Sequence, residues 1–323
     1  MKKVVDDIRL MTKISDMYYN QGINKQDIAK QLQISRPIVI RMLKSAVDLG
    51  IVDIHIHNLD LIQHWDLENQ LQKQYSLKEC IIIDEQPNSD ALKQSLGKTA
   101  CQYLDYNIKD QDTIGISMGS TLYYMINAMK PTKKDVTIVP LVGGQGSMAN
   151  DLHSNSLAHV MAHRLSGQAI PLLAPARVAN RHLLQGLLKE ESITSVLTYG
   201  NHLDIAIVGI GYPNEDESSI MATGYYKEHE VEELLSKKVV GEVNMQFYDI
   251  EGKTAPYKAY NNVVGVNIQK LRKVPLSIGI GGGTKKANAI KGAIAGKYIN
   301  VLITDISCVN KMLSIMEEEK INV

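Results

Sequence analysis

The sequence is poor in bulky aromatics, in cysteine and in long apolar runs, and it has no net charge. It holds one phenylalanine, one tryptophan and three cysteines in 323 residues. No run of apolar residues reaches the roughly 18 that a membrane-spanning helix needs, so none is expected. The cysteines, at 80, 101 and 308, are too few to staple such a chain and share no metal-ligand spacing. They point to a reducing, cytoplasmic setting, with no metal and no cofactor expected. The opening residues carry two lysines but no apolar segment behind them, so a secretory signal is not expected either. Basic and acidic residues number 35 each, which excludes a uniformly basic nucleic-acid coat. The aromatic content is concentrated in fifteen tyrosines, which no motif accounts for.

What is present is ordinary globular composition, 44% hydrophobic and 22% charged. That argues against disordered, collagenous and disulfide-scaffold proteins. The length suggests roughly two domains. Charge is distributed unevenly between them. Residues 1–57 hold nine basic and six acidic residues, a surplus of three that the remainder balances.

That basic segment has a readable order. Val4, Ile8, Met11, Ile14 and Tyr18 repeat at helical spacing, and Gly22 ends the helix. Asn24 caps a second, short helix over Asp27–Leu32. Gln33-Ile34-Ser35 makes a tight connection. Ser35 is expected to cap a third helix, with Pro37 tolerated in its first turn. Gly50 closes it, and Ile51–Ile56 alternates like a short strand. Helix, short helix, turn, helix and strand is the order of a winged helix-turn-helix. On the third helix Val39, Met42, Leu43, Ala46 and Leu49 form a core stripe. Arg36, Pro37, Ile40, Arg41 and Lys44 form another. One face would pack while the other, with Ser35, meets phosphates and base edges. The alternative is an ordinary solvated basic face, and the element order favours DNA.

After residue 57 the pattern changes. Residues 58–76 are expected to form a linker or dimerising helix. Apolar runs then alternate with helical segments: Cys80–Ile83, Thr113–Ile116, Val136–Val142, Ala169–Leu173, Ile205–Ile210, Leu276–Ile280 and Val301–Thr304. Helices fit 90–105, 120–130, 153–166, 179–190, 230–236, 284–295 and 306–318. Unbroken apolar strands between helices predict a parallel sheet covered on both faces. The fold class is thus α/β: a small N-terminal winged helix-turn-helix over 1–57 and a large, doubly wound, Rossmann-like domain over 58–323.

Four strand ends run into glycine-containing turns. Gly115-Ile116-Ser117-Met118-Gly119-Ser120-Thr121 leads into a helix whose first N–H groups and hydroxyls suit a phosphate or sugar oxygen. Gly281-Gly282-Gly283-Thr284-Lys285-Lys286 places two lysines in a helical first turn, where the macrodipole disfavours them unless an anion binds. Leu141–Gly146 and Asp204–Gly211 are the other two. In a doubly wound sheet such ends gather along one edge, so the turns should converge on one pocket. His153, His159 and His163 are better read as surface or pocket-lining residues than as metal ligands, since Val160 stands where a metalloprotease helix needs glutamate. His55 and His57, on one face of the expected wing strand, fit a phosphate contact or plain exposure.

Both halves together resemble the SorC family of sugar-responsive transcription regulators. The resemblance rests on Asp27-Ile28-Ala29-Lys30 with Ile34–Lys44, on Gly115–Thr121, Pro140–Gly144, Ala174-Pro175 and Asp204–Gly211, on Phe247-Tyr248-Asp249 with Gly252, and on Gly281–Ala287 with Ile299–Asp305. It covers nearly the whole chain. It implies a fold related to sugar-phosphate isomerases and deaminases, a phosphorylated-sugar effector, and tetramers on paired operator DNA sites. It also implies effector contacts at Gly119, Ser120, Thr121, Asn155, Asp249 and Lys286. The phosphate is expected near Lys286, and the hydroxyls near Ser120, Asn155 and Asp249. Ile38 and Ile40 depart from the Thr or Ser usual in the family's recognition helix, and an isoleucine there suits a thymine methyl. The rival reading is a sugar-phosphate isomerase or deaminase with an accessory N-terminal domain. Related deaminases carry Asp-Gly-His after the Gly-x-Gly strand end. Here Tyr212-Pro213-Asn214 follows Gly211, leaving Asp249 as a lone base. A third reading is a sugar sensor acting through protein partners.

Overall fold

The computed structural model describes residues 7–55, 63–144, 150–213 and 223–321, without the side chains of 150 and 316–321. The chain divides into two compact units, Met1–Gln63 and His64–Val323.

The first unit is built on three helices: α1 (Ile8–Ser15), α2 (Lys25–Gln31) and α3 (Arg36–Asp48). A π-helical turn, Asp16–Asn20, extends α1 toward Gly22, whose φ is +68°. Asn24 accepts from the backbone N–H groups of Gln26 and Asp27, fixing the start of α2. Met11, Ile14, Met17, Ile28, Ala29, Val39, Met42, Leu43 and Ala46 close the core. Two expectations fail here. Leu49 is exposed rather than in the core stripe, because α3 ends at Asp48 and the chain turns at Gly50. Residues 51–55 form no strand, and Ile56 and His57 lie outside the described residues. His55 is within 3.0 Å of Asp53, both exposed.

The second unit opens with α4 (Trp65–Tyr75), followed by β1 (Glu79–Ile83) and α5 (Ser89–Asn107). Helix α4 is docked rather than free: Leu71 is fully buried, and Glu68 accepts from the Ile82 N–H of β1. Then come β2 (Thr113–Ile116), α6 (Ser120–Ala128), β3 (Thr137–Pro140), α7 (Ser154–Leu165) and β4 (Gln168–Ala169). Helices α8 (Arg181–Leu187) and α9 (Glu191–Tyr199) precede β5 (Ile205–Gly209). Helix α10 (Glu228–Ser236) leads to the hairpin β6 (Gly241–Val243) and β7 (Gln246–Tyr248). The chain finishes with β8 (Leu276–Ile280), α11 (Ala287–Ala295), β9 (Val301–Asp305) and α12 (Ile306–Ile321).

Seven strands make one all-parallel sheet in the order β1-β9-β8-β5-β2-β3-β4. Six of them match the expected apolar runs; β4 is only Gln168–Ala169 and shares just Ala169 with the expected run Ala169–Leu173. Their side chains alternate between two cores, as the two-residue strand period requires. Ile114, Ile116, Ile205, Ile207, Ile278 and Ile303 pack under α5, α6 and α7. Ala206, Val208 and Leu302 face the core shared with α4, α9, α11 and α12. Strands β2 to β4 progress one way and β5, β8 and β9 the other, so the switch point lies between β2 and β5.

A third cluster beside the sheet takes up much of the aromatic content. Tyr226, Phe247, Tyr257 and Tyr260 are buried there around α10 and the hairpin. Arg177 ties it down: its Nη2 lies 2.6 Å from Glu230 Oε1 and its guanidinium stacks 4.1 Å from the Tyr226 ring centroid.

Helices α5 and α6 approach so closely that a Cβ at Gly97 would lie 2.7 Å from the Met125 backbone nitrogen. Because backbone cannot yield, Gly97→Val is expected to destabilise the unit by about 1–3 kcal/mol. Urea unfolding of the variant beside the parent protein measures this.

Candidate functional site

The geometry of α3 is simple. Ser35, Arg36, Pro37, Ile40, Arg41 and Lys44 are all exposed, opposite the buried Val39, Met42, Leu43 and Ala46. Ser35 occupies the N-cap position with extended backbone, but its hydroxyl makes no capping bond. The expected cap is therefore absent. Ile40 and Lys44 also line a shallow hollow with Tyr18, Tyr19 and Lys25. The Lys25 Nζ sits 5.0 Å from the Tyr18 ring centroid, a cation–π distance. Sequence reasoning passed over Lys25, although a lysine at the first position of a short second helix was visible.

In the second unit a cavity of about 880 Å³ opens at the carboxyl ends of β2, β5 and β8. Its volume falls in the range of small-molecule sites, and its place is the switch point. Three of the four glycine turns meet there: Ser117–Leu122, Gly209–Tyr212 and Gly282–Lys286. The described residues of the fourth, Leu141–Gly144, do not line it. Gly143 and Gly144 donate instead to the carbonyls of Val264 and Ala174, which ties that turn to neighbouring backbone. Residues 145–149 lie outside the described residues.

Each wall has a local cause. Gly119 is the N-cap of α6 at φ +125°, a conformation L side chains rarely adopt. It leaves the first-turn N–H groups of α6 facing the cavity beside the Ser120 and Thr121 hydroxyls. The Gly283 N–H donates to Asp305 at 2.6 Å, which anchors the tight turn Thr284–Lys286 ahead of α11. The start of α5 contributes Asn88, Ser89 and Lys93.

Asn155 and Asp249 are not among the lining residues. The Asn155 amide clamps Leu172, donating to its carbonyl and accepting from its N–H. Asp249 accepts from the N–H groups of Glu251 and Lys253, closing the turn after β7. Both side chains bond to backbone away from the cavity lining that holds Gly119, Ser120, Thr121 and Lys286.

A carboxylate that sequence reasoning missed takes their place. Glu242 is buried in β6 and lines the cavity. Two backbone bonds join it to Gly211 at the end of β5. Gly211 is there for space, since a Cβ on it would stand 1.9 Å from Glu242 Oε1. Burial pushes the Glu242 carboxyl up to about 7, against the opposing pull of the Met245 N–H and of Lys286. Burial likewise lowers Lys286, while Glu242 draws it back up and Lys93 lowers it further. The cavity thus holds a half-buried lysine and a buried acid with a raised pKa. One signal pointed to it: Glu242 is the lone charge in Val239-Val240-Gly241-Glu242-Val243.

Other candidates are quiet. Burial pushes the thiols of Cys80, Cys101 and Cys308 up to about 12, 11 and 12. His159 and His163 are exposed on α7. Among the described residues no three metal-ligating side chains come together, and no helix is long and apolar enough to cross a membrane.

Residues 60–314 match the family model described as "Putative sugar-binding domain". The sorbitol operon regulator of Klebsiella pneumoniae is 31% identical over 308 residues, spanning 93% of this chain and 96% of that protein. The crystal structure of that full-length regulator, SorC, superposes with a TM-score of 0.71 at 30% identity, covering 95% of this chain and 99% of that one. This chain belongs to the SorC family of transcriptional regulators. Another relative, the deoxyribonucleoside regulator of Bacillus subtilis, is 30% identical over 300 residues, or 92% of this chain and 95% of that protein. Both relatives are regulators, not enzymes.

The near-neutral Glu242 has a measurable consequence. Its folded value stands above the ordinary one, so the folded state holds a proton that the unfolded chain has released. Without ligand, stability should fall as pH rises from about 4.5 to 7, by at most roughly 3 kcal/mol, and then level off. Glu242→Gln should flatten that slope, as thermal unfolding across the pH range will show.

Proposed function

We propose that the protein regulates a sugar-metabolism operon from the cytoplasm, its operator binding set by a phosphorylated sugar held in the second unit. The convergence of the α6 start and the Lys286 turn on one cavity carries this reading. Phosphate is the anion that such N–H groups, hydroxyls and a lysine match together. It settles where Gly119, Ser120, Thr121 and Lys286 face each other. The sugar hydroxyls turn toward Glu242, in place of the Asn155 and Asp249 expected from sequence.

DNA contact falls to Ser35, Arg36, Pro37, Ile40, Arg41 and Lys44. The arginines and Lys44 reach phosphates and base edges, and Ile40 suits a thymine methyl. The relatives' names support the sugar-operon setting: one is a sorbitol operon regulator and another a deoxyribonucleoside regulator. Assembly as a homotetramer on paired operator sites belongs to the same reading. The effector acts by binding two arrangements of that assembly with unequal affinity. An isomerase or deaminase is disfavoured, because Asp249 is spent on a turn away from the cavity.

Two experiments follow. Operator duplexes can be enriched from a random pool by the protein itself. On them Arg36→Ala should cost about 1–3 kcal/mol and relax specificity at one base, whereas Lys44→Ala should weaken all sequences alike and reduce the salt slope by about one. Equal, unchanged binding by both variants would remove α3 from the interface. Second, Lys286→Ala and Thr121→Val should weaken calorimetric binding of phosphosugars while leaving sugar-free operator affinity near normal. Unchanged sugar affinity in both would place the effector elsewhere.

A further inference from the structure

One group in the cavity has no use in the fold. Asn244 is 2% exposed and lines the cavity, yet neither its Nδ2 nor its Oδ1 has a hydrogen-bond partner. Leaving a buried donor and acceptor unmade costs about 1–3 kcal/mol each, so such groups call for an explanation.

The backbone shows that the placement is enforced. Val243 pairs with Gln246 across the β6–β7 hairpin, which leaves Asn244-Met245 as a two-residue loop. Its φ angles are +53° and +59°, the left-handed pair of a type I′ turn. Asparagine tolerates that conformation, but methionine is strained in it. The strained residue is held by the carboxylate already described, since the Met245 N–H donates to Glu242 Oε2 at 2.8 Å. The turn is thus tied to the cavity wall, and it carries the free carboxamide with it.

We propose that Asn244 is a specificity determinant for the effector, its carboxamide pairing with the hydroxyl-bearing part of a phosphosugar. The inference rests on the phosphosugar reading above and names which ligand chemistry the far wall demands. A carboxamide offers one acceptor and two donor hydrogens, and a hydroxyl both donates and accepts. Adjacent hydroxyls, or a hydroxyl beside a carbonyl oxygen, satisfy both atoms at once. A bare anion satisfies only the amide donor, and an apolar ligand satisfies neither atom. The helix starts therefore select for phosphate, and the hairpin turn selects for the polyol.

The test uses the full-length protein and two variants. Asn244→Gly deletes the carboxamide, and glycine is favoured at this φ, so the turn is kept. Asn244→Asp keeps size and turn but replaces the amide donor. Glucose, fructose, ribose and sorbitol phosphates are titrated by calorimetry, and inorganic phosphate is titrated as a competitor against the tightest of them. Both variants should bind that phosphosugar about tenfold more weakly, the loss of one or two hydrogen bonds, while inorganic phosphate competes as it does with the parent protein. Asn244→Gly binding the sugar as tightly as the parent would overturn the proposal. So would equal losses for sugar and phosphate, which would mean a general collapse of the cavity. If no phosphosugar binds the parent protein, the phosphosugar reading itself fails and this inference falls with it. That result appears before any variant is measured.

Discussion

A parallel sheet forces every connection to leave at one end of a strand and return to the other. In this protein that constraint places a turn and a helix start at the carboxyl end of strand after strand. Where the winding reverses, between β2 and β5, neighbouring connections part to opposite faces and a crevice opens. The cavity, the free N–H groups at Ser120 and the Lys286 turn all follow from that reversal. Helix packing then fixes the detail. Gly97 lets α5 press against α6, so the wall that carries Ser120 and Thr121 is set by backbone contact.

The electrostatics of the crevice are unbalanced in a directed way. Burial weakens the charge on both Lys286 and Glu242, and each partly restores the other. Enclosed charges of this kind favour a partner that supplies what the protein withholds. An anion beside Lys286 and hydroxyls beside Glu242 and Asn244 would do so together. The fold around them is already satisfied: Asp305 holds Gly283, Arg177 holds Glu230, and Asn155 holds Leu172. The Ser120 and Thr121 hydroxyls and Lys286 on one side, with Glu242 and Asn244 on the other, suit a ligand with two chemically distinct ends.

Much of this was legible in the sequence because burial on both faces writes a strand as an unbroken apolar run. Six of the seven strands carried that mark; the two-residue edge strand β4, Gln168–Ala169, did not. The three helices of the first unit were legible through Asn24, Pro37 and Gly50, residues whose backbone preferences punctuate helices. The β6–β7 hairpin was not. Its strands have three residues each, and its loop, Asn244-Met245, lacks the glycine that usually marks a type I′ turn. Glu242 and Asn244 were missed with it. That Asn155 and Asp249 stand outside the cavity lining was hidden for another reason. Their roles were implied by resemblance, and side-chain hydrogen bonds to backbone are not visible in residue type or spacing. The wing strand expected at Ile51–Ile56 is not formed over the described residues 51–55, so alternation over a few residues does not by itself make a strand.

The proposed regulation requires coupling between the two units, and linkage makes such coupling measurable from both directions. Operator affinity is measured with and without a saturating phosphosugar, and phosphosugar affinity with and without operator. If the protein is a sugar-controlled regulator, both ratios differ from one and equal each other, because coupling free energy is reciprocal. A phosphosugar that binds the protein tightly while leaving operator affinity unchanged would contradict the account.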